Sequence, residues 1–339
     1  MSGPAATSAL RWAGRIWPVV VLPIAFYFAP HFYNNQLLLA QMVIYVVLAQ
    51  GVNVIYGFTG YLPFGYVGFF GAGAYGTALS VMYLHTSGLE SVLLGGVAAV
   101  VVAMVLLPLL RLSGAYFALA SLAASQVLYY VIANPSLASI TKGPYGVNLL
   151  PIYNPGHAYR YGCVLLAAAI AAAVYLRHSS FGLTLRAIRD DPLSAAMAGV
   201  DVVRARSLAW LMSAALAGLA GGIFAWITSV FYPDTVFDLT ISLFAIVFSL
   251  FGGVGTVFGP LVGGIGLYSL YSYIGVSSPQ YFQLVFGVLI VALILFVPQG
   301  LAGLATSVGR RLGGRVRPRP SEGVAPAAAE PGKAGAEVV

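Results

Sequence analysis

Charge is what this sequence has least of. Charged residues make up 7% of its 339 positions, and no Asp, Glu, Lys or Arg occurs between Pro18 and Leu89 or between Leu239 and Gly309. Soluble globular chains carry about 25% charged residues, so the soluble class is excluded. Cysteine is nearly absent. The single Cys163 sits in an apolar run, which rules out a disulfide within the chain and a cysteine metal site and leaves a small packing residue. Lysine is as scarce, with Lys142 followed by Gly143 and Lys333 followed by Ala334. A phosphate-binding loop needs Gly-Lys-Ser/Thr, so this chain is not expected to bind ATP itself. The four histidines, His31, His85, His157 and His178, fall at span ends or in loops, and none pairs with a carboxylate at ligand spacing. No catalytic, cofactor-binding or metal-ligating residue is therefore expected, and the chain does not read as an enzyme. Acids are missing where an ion-coupled carrier would hold them. Glu90, Asp234 and Asp238 lie in loops and the spans carry none, which leaves proton coupling without support, although carbonyls and hydroxyls remain able to hold sodium.

What is present is apolar: 60% of residues are hydrophobic, 13% aromatic, and the mean hydropathy is +0.91. Uninterrupted runs such as Ser91 to Leu110 are long enough to cross a bilayer as helices and lack the alternation of a membrane barrel. The expected fold is an all-α polytopic membrane protein of about ten spans, some broken or re-entrant at glycine-rich segments. Arg11 and Arg15 precede the first run as in a signal peptide, but no small-residue cleavage site follows, so an uncleaved first span is expected. The later spans are expected at Leu37 to Ile55, at a helix ending near Leu84, at Ser91 to Leu110, Gly114 to Ala133, Tyr161 to Leu176 and Ser207 to Val230. Leu239 to Phe251, Phe258 to Ile274 and Tyr281 to Val297 complete the set. The net charge of +7 reflects topology and not nucleic-acid binding: arginines gather at Arg11 and Arg15, at Arg111, in a central loop and from Arg310 to Arg319, which places both termini in the cytoplasm. Residues 1–16 form a cytoplasmic segment, 17–308 the membrane domain, and 309–339 a basic, then Ala/Pro/Glu-rich tail expected to be disordered and to meet the anionic face of the bilayer.

The polar stretch inside the membrane domain, residues 177–206, holds Arg177, Arg186, Arg189, Arg204 and Arg206 with Asp190, Asp191 and Asp201. Leu183, Leu185, Ile188, Leu193, Met197, Val200 and Val203 recur within it at helical spacing, and Asp191-Pro192 reads as a cap with proline at the first helical position. An amphipathic helix between spans offers an apolar face to something outside the bilayer.

Glycine and proline interrupt two apolar runs. After Ile55, residues Gly57, Gly60, Pro63 and Gly65 break the helical pattern, and Gly259-Pro260 repeats the combination. Non-helical backbone in a membrane is tolerated only where it is buried in protein or lines a cavity. Candidates for a translocation path are therefore Asn53, Thr59, Gly60, Tyr61, Pro63, Gly65, Tyr66, Tyr75, Gly259 and Pro260. Small-residue stripes at Gly68, Ala72 and Gly76, at Ala214, Gly218 and Gly222, and at Gly255, Gly259 and Gly263 read first as close helix packing.

Several segments in order resemble the branched-chain amino acid ABC transporter permeases, closer to the LivM type than to the LivH type. They are Tyr56-Gly57-Phe58-Thr59-Gly60, Gly68 to Tyr75, Tyr116-Phe117-Ala118-Leu119, Gly143-Pro144-Tyr145-Gly146, Arg186 to Asp191, and Gly252 to Thr256 with Phe258-Gly259-Pro260. The resemblance implies a bacterial inner-membrane permease paired with a homologous permease subunit, most simply as a heterodimer. It also implies two cytoplasmic ABC ATPases and an extracytoplasmic solute-binding protein as partners. The coupling segment it implies matches here at Asp190 or Asp191, Ala195, Ala196 and Gly199. Tyr61, Pro63 and Tyr66 stand where relatives carry Gln, Ser and His, and Lys142 where glycine is frequent, which leaves the solute open among amino acids, urea and short amides. A stand-alone secondary transporter or channel, and a membrane scaffold, are the alternative readings.

Overall fold

Lipid offers no partner to a peptide group, so each apolar run must close its own backbone hydrogen bonds, and helices do so within one segment. The computed structural model describes residues 19, 21–33, 35–277, 287, 288 and 291, and it is built of helices joined by short turns. An apolar helix covers Val21–His31. The main elements follow as α1 (Gln36–Val52), α2 (Val67–Leu84), α3 (Gly88–Val105), α4 (Gly114–Ile132) and α5 (Pro155–His178). Two short helices come next, α6 (Ser180–Asp190) and α7 (Pro192–Met197), then α8 (Val202–Thr228), α9 (Leu239–Gly252) and α10 (Gly259–Ser277). Seven of the described helices are long and apolar enough to cross a membrane: α1 with its extension to Gly57, α2, α3, α4, α5, α8, and α9 with the turn before it. The chain is a mostly helical, multi-pass membrane protein. The run at Tyr281 to Val297 and the segments 1–16 and 309–339 lie almost wholly outside the described residues.

Acidic and amide side chains mark where the helices begin. Asn35, Asn154, Asp191, Asp201 and Asp238 each accept a backbone N–H in the first turn of the helix they precede, and Ser87 with Glu90 forms a reciprocal capping box at α3. Such caps satisfy donors that have no partner inside the helix and place negative charge at the positive end of its dipole. That accounts for most of the few acids in the described chain.

Helices α2, α3 and α8 form the tightest packing, through small residues. A Cβ on Gly73 would fall 2.0 Å from the carbonyl oxygen of Gly218, and one on Gly218 would fall 2.3 Å from Ala99. Backbone meets backbone there, which recovers dispersion contact where no hydrophobic force separates helix from lipid. Helix α1 runs through the middle against α5, α8, α9 and α10, and Val46, Val47, Leu48 and Ala49 are fully buried. Helix α3 instead turns Leu93, Val97, Val101 and Met104 outward.

Besides the earlier start of α5, at Pro155 and not at Tyr161, two features depart from the sequence expectation. Helix α8 starts at Val202 and not near Ser207, because Asp201 caps it with a bond of 3.0 Å from Arg204 N–H, so the polar stretch is the last turn of α5, two short helices and the first turn of α8. The other is at the opposite end of the bundle, where an antiparallel pair, β1 (Val147–Asn148) and β2 (Val230–Phe231), matches Val147 with Phe231. Nearby, Trp226 Nε1 donates to Ile152 O at 2.7 Å and the Tyr129 hydroxyl bonds the Asp234 carboxylate.

Candidate functional site

At the arginine-bearing end the three unusual parts of the sequence meet. Helix α1 passes into a π turn at Asn53–Gly57. With it, α1 is 22 residues long, about 33 Å at 1.5 Å per residue. The interruption therefore falls at the end of a complete crossing and not at its middle. Gly60 follows with φ of +80°, and Pro63 to Tyr66 turn the chain into α2. The second interruption joins α9 to α10 through Gly253 and Gly255, with φ of +110° and +76°.

Two amides lock these interruptions together. Asn53 accepts from Gly255 N–H at 2.7 Å and donates to Thr256 O at 2.9 Å, and Gln50 Nε2 donates to Val257 O at 2.8 Å. Both side chains are fully buried. The polar stretch completes the junction. Arg189 donates from a terminal guanidinium nitrogen to Gly57 O at 2.6 Å, and Arg177 does the same to Gly255 O at 3.1 Å. Contact is direct, since a Cβ on Gly57 would lie 2.6 Å from Gly255 N.

The remaining path candidates are accounted for one by one. Thr59 is buried, with its hydroxyl turned back to Ile55 O. Tyr61 is buried against Phe117, with the Arg206 guanidinium 4.5 Å above its ring. Gly65 donates its N–H to Ser121 Oγ at 3.2 Å, and a Cβ there would meet Ser121 O at 1.8 Å. Tyr66 donates its hydroxyl to Ser213 O at 2.9 Å, and Ser242 Oγ accepts Val67 N–H at 2.7 Å where α2 begins. Gly60 is exposed and Pro63 buried. Gly259 donates to Thr256 Oγ1 at 3.0 Å, and Pro260 follows it in the first turn of α10. Tyr75 is distant from this junction, packed on Phe231 and Phe237, and its buried hydroxyl has no hydrogen-bond partner among the described residues. A small cavity of 110 Å³ between α1 and α10 is lined by Gln41, Tyr45, Tyr268 and Tyr271, with the Tyr268 hydroxyl donating to Gln41 at 2.7 Å.

Helix α7 carries the candidate coupling residues. Ala195 is buried against the rest of the chain, whereas Leu193, Ala196, Met197 and Gly199 are exposed. Gly199 at φ of +85° ends the helix, its N–H bonded to Ala196 O. Asp190 and Asp191 are exposed, and Asp191 accepts from the Ser194 hydroxyl and from Leu193 N–H. Those bonds, the hydroxyl first, hold its carboxyl below the ordinary value. Leu183, Leu193, Met197 and Val203 are apolar side chains that the described chain leaves exposed, while Leu185 and Ile188 are buried. Among the described residues no three His, Cys, Asp or Glu side chains gather at metal-binding distance.

Sequence reading had missed Gln50, Arg177 and Arg189 as parts of one junction. A signal was present for Gln50 and Asn53, which are polar at i, i+3 within a run that is otherwise apolar from Met42 to Ile55 apart from Tyr45 and Gly51.

Comparison with known proteins bears on the same segments. The family model described as branched-chain amino acid transport system, permease component, matches residues 36–294. The high-affinity branched-chain amino acid transport system permease protein LivM of Salmonella typhimurium is 26% identical over 291 residues, covering 76% of this chain and 68% of its own. The corresponding LivH of Escherichia coli K12 is 24% identical over 288 residues, 76% of this chain and 91% of its own. A probable LivH of Methanocaldococcus jannaschii is 32% identical over 157 residues, 44% of this chain and 49% of its own. No solved structure matches. The family model spans most of the chain, including both interruptions and the polar stretch between them, and the protein belongs to the branched-chain amino acid transport permease family.

Proposed function

We propose that this chain is one of two permease subunits of a bacterial ABC importer. It carries branched-chain amino acids, or a related small polar solute, inward across the cytoplasmic membrane, while ATP is hydrolysed on two separate cytoplasmic subunits and solute arrives on an extracytoplasmic binding protein. The observation that carries this reading is the exposed apolar face of α7, which follows α6, whose Arg189 bonds the first interruption, and the end of α5, whose Arg177 bonds the second. A short helix with the small exposed Ala196, and Gly199 just past its end, fits a groove on an ATPase, Leu193 and Met197 supply apolar area to bury there, and Ala195 faces inward to seat the helix on its own chain. Asp190 and Asp191 stay in water at the rim.

In this reading the arginine end is cytoplasmic, as are both termini, and the seven spans are joined by α10, the Val21–His31 helix and the run at Tyr281 to Val297 to make about ten. The solute passes beside the interruptions at Gly57 to Tyr66 and Gly253 to Pro260, where backbone is free of the helical ladder. The buried, unpaired Tyr75 hydroxyl is a polar contact for it toward the other end. The permease pair is a heterodimer with a homologous subunit.

The test is affinity purification of the tagged chain from its native membranes in mild detergent. Stoichiometric recovery of an ATPase pair and a second permease is expected, with leucine uptake by the reconstituted complex. Uptake by liposomes containing this chain alone would overturn the importer reading in favour of a stand-alone transporter. Ala196→Glu, which puts charge on the docking face, is expected to abolish uptake with membrane insertion intact, and normal uptake would remove α7 from coupling.

A further inference from the structure

The polar stretch holds five arginines, and their partners differ in kind. Arg186 Nε donates to Gly182 O one turn back in its own helix, Arg204 pairs with Asp201 at 3.0 Å in its own first turn, and Arg206 lies over the Tyr61 ring. Arg177 and Arg189 reach elsewhere. Each donates to a backbone carbonyl of a membrane interruption, Arg189 to Gly57 and Arg177 to Gly255, which lie 132 and 78 residues away in sequence. Neither has a carboxylate partner among the described residues, where Arg204–Asp201 is the ion pair present.

The receiving carbonyls suit this use. Gly57 closes the π turn at the end of α1, where carbonyls lack a helical partner and the dipole favours a cation. Gly255, at positive φ, lies outside both α9 and α10. The two sites are not independent, because Asn53 bonds Gly255 and Thr256 while Gln50 bonds Val257. Leu185, Ile188 and Ala195 of α6 and α7 are buried apolar side chains, whose packing is without direction. Such contacts resist separation but have no preferred register, whereas a charge-assisted hydrogen bond at 2.6 Å holds two named atoms together.

We propose that Arg177, in the last turn of α5, and Arg189, in the last turn of α6, are the positioning residues through which displacement of the segment from the end of α5 through α7 reaches the two interrupted spans. The inference rests on the importer reading above. The two guanidinium groups pull or release the Gly57 and Gly255 carbonyls together, and the amide lock of Gln50 and Asn53 makes both interruptions move as one. The outward face of α7 is separate from this link, so its loss uncouples ATP hydrolysis from movement in the membrane without releasing the ATPase.

The experiment uses the complete reconstituted complex with a cysteine reporter at each interruption, Leu62→Cys and Val254→Cys, both partly exposed positions. The native Cys163 is buried. Maleimide labelling is followed with and without vanadate-trapped nucleotide in the parent, in Arg177→Ala/Arg189→Ala, in the doubly lysine-substituted variant, and in Arg204→Ala as a control for loss of an arginine of the same stretch that bonds within its own helix turn. In the parent and in Arg204→Ala, trapping is expected to change both labelling rates. In the double alanine variant the ATPase stays bound and hydrolyses ATP within about twofold of the parent, while the labelling response falls by at least about tenfold, the scale set by either one of the two charge-assisted hydrogen bonds removed. Lysine restores part of the response, because it donates as a point charge without the fork. An unchanged labelling response in the double alanine variant overturns the link. So does a parent whose interruptions do not respond to nucleotide, and so does loss of the ATPase from the variant complex, which would make the arginines docking residues. Uptake of radiolabelled leucine is measured in parallel, and a parent that responds at both reporters yet moves no leucine counts against the solute assignment alone.

Discussion

Replacing Asn53 with leucine tests whether the two interruptions are held by the amide lock. Leucine is close to asparagine in size but makes no hydrogen bond, so Gly255 N–H, at 2.7 Å, and Thr256 O, at 2.9 Å, both lose their partner. The site is interior: Asn53 has no exposed surface and Gly255 is buried. An unsatisfied buried backbone group costs about 1–3 kcal/mol. Hydrogen bonds measured within membrane proteins average about 0.6 kcal/mol and reach about 1.7, since the unfolded chain also finds partners. Between those scales the two losses sum to about 1.5–3.5 kcal/mol. Ser80→Ala is the control, because Ser80 is also buried but its hydroxyl bonds only Thr77 O, one turn back in its own helix. Unfolding free energies in mixed micelles titrated with sodium dodecyl sulfate would separate them. Asn53→Leu within about 0.5 kcal/mol of the parent, no worse than Ser80→Ala, would refute the reasoning, for both bonds would then be replaceable by water or relaxation.

Gly73→Val forces a side chain into the 2.0 Å space before Gly218 O; separating α2 from α8 is expected to cost about 1–3 kcal/mol or more, read in the same titration, and parent-like stability would show that the helices part freely. Met197→Asp, at a side chain 75% exposed, is expected to leave that stability unchanged while reducing ATPase recovery in pull-downs, and undiminished recovery would place docking elsewhere. The Asp191 carboxyl is held below its ordinary value by the Ser194 hydroxyl and then by Leu193 N–H. A depressed value contributes stability above the unfolded pKa of about 3.9 that is lost only as pH falls through the folded one. ATPase recovery should therefore be flat on account of this group between about pH 6 and 8, with Asp191→Asn near the parent and Asp191→Ala weaker throughout; a midpoint inside that range that Asp191→Asn abolishes would contradict it.

Much of this protein was written in its sequence. An apolar run in a bilayer has one economical way to pair its backbone, so Ser91 to Leu110 and Gly114 to Ala133 could be placed from composition, and α3 and α4 lie at Gly88–Val105 and Gly114–Ile132. The Asp191-Pro192 start of α7 was equally legible, because a cap is local chemistry. What the sequence could not supply was which polar atoms face each other across 78 to 207 residues. Whether Asn53 lines a route or ties Gly255 and Thr256 depends on where α9 and α10 come to lie, and every arginine of residues 177–206 reads alike until a carbonyl stands within reach. Only the folded bundle separated Arg177 and Arg189 from Arg186, Arg204 and Arg206. Local pattern sets helix existence, since it needs neighbours within a turn or two, but the junction of the interrupted spans is a matter of hydrogen-bond distances, and those exist only once helices far apart in the chain are packed together.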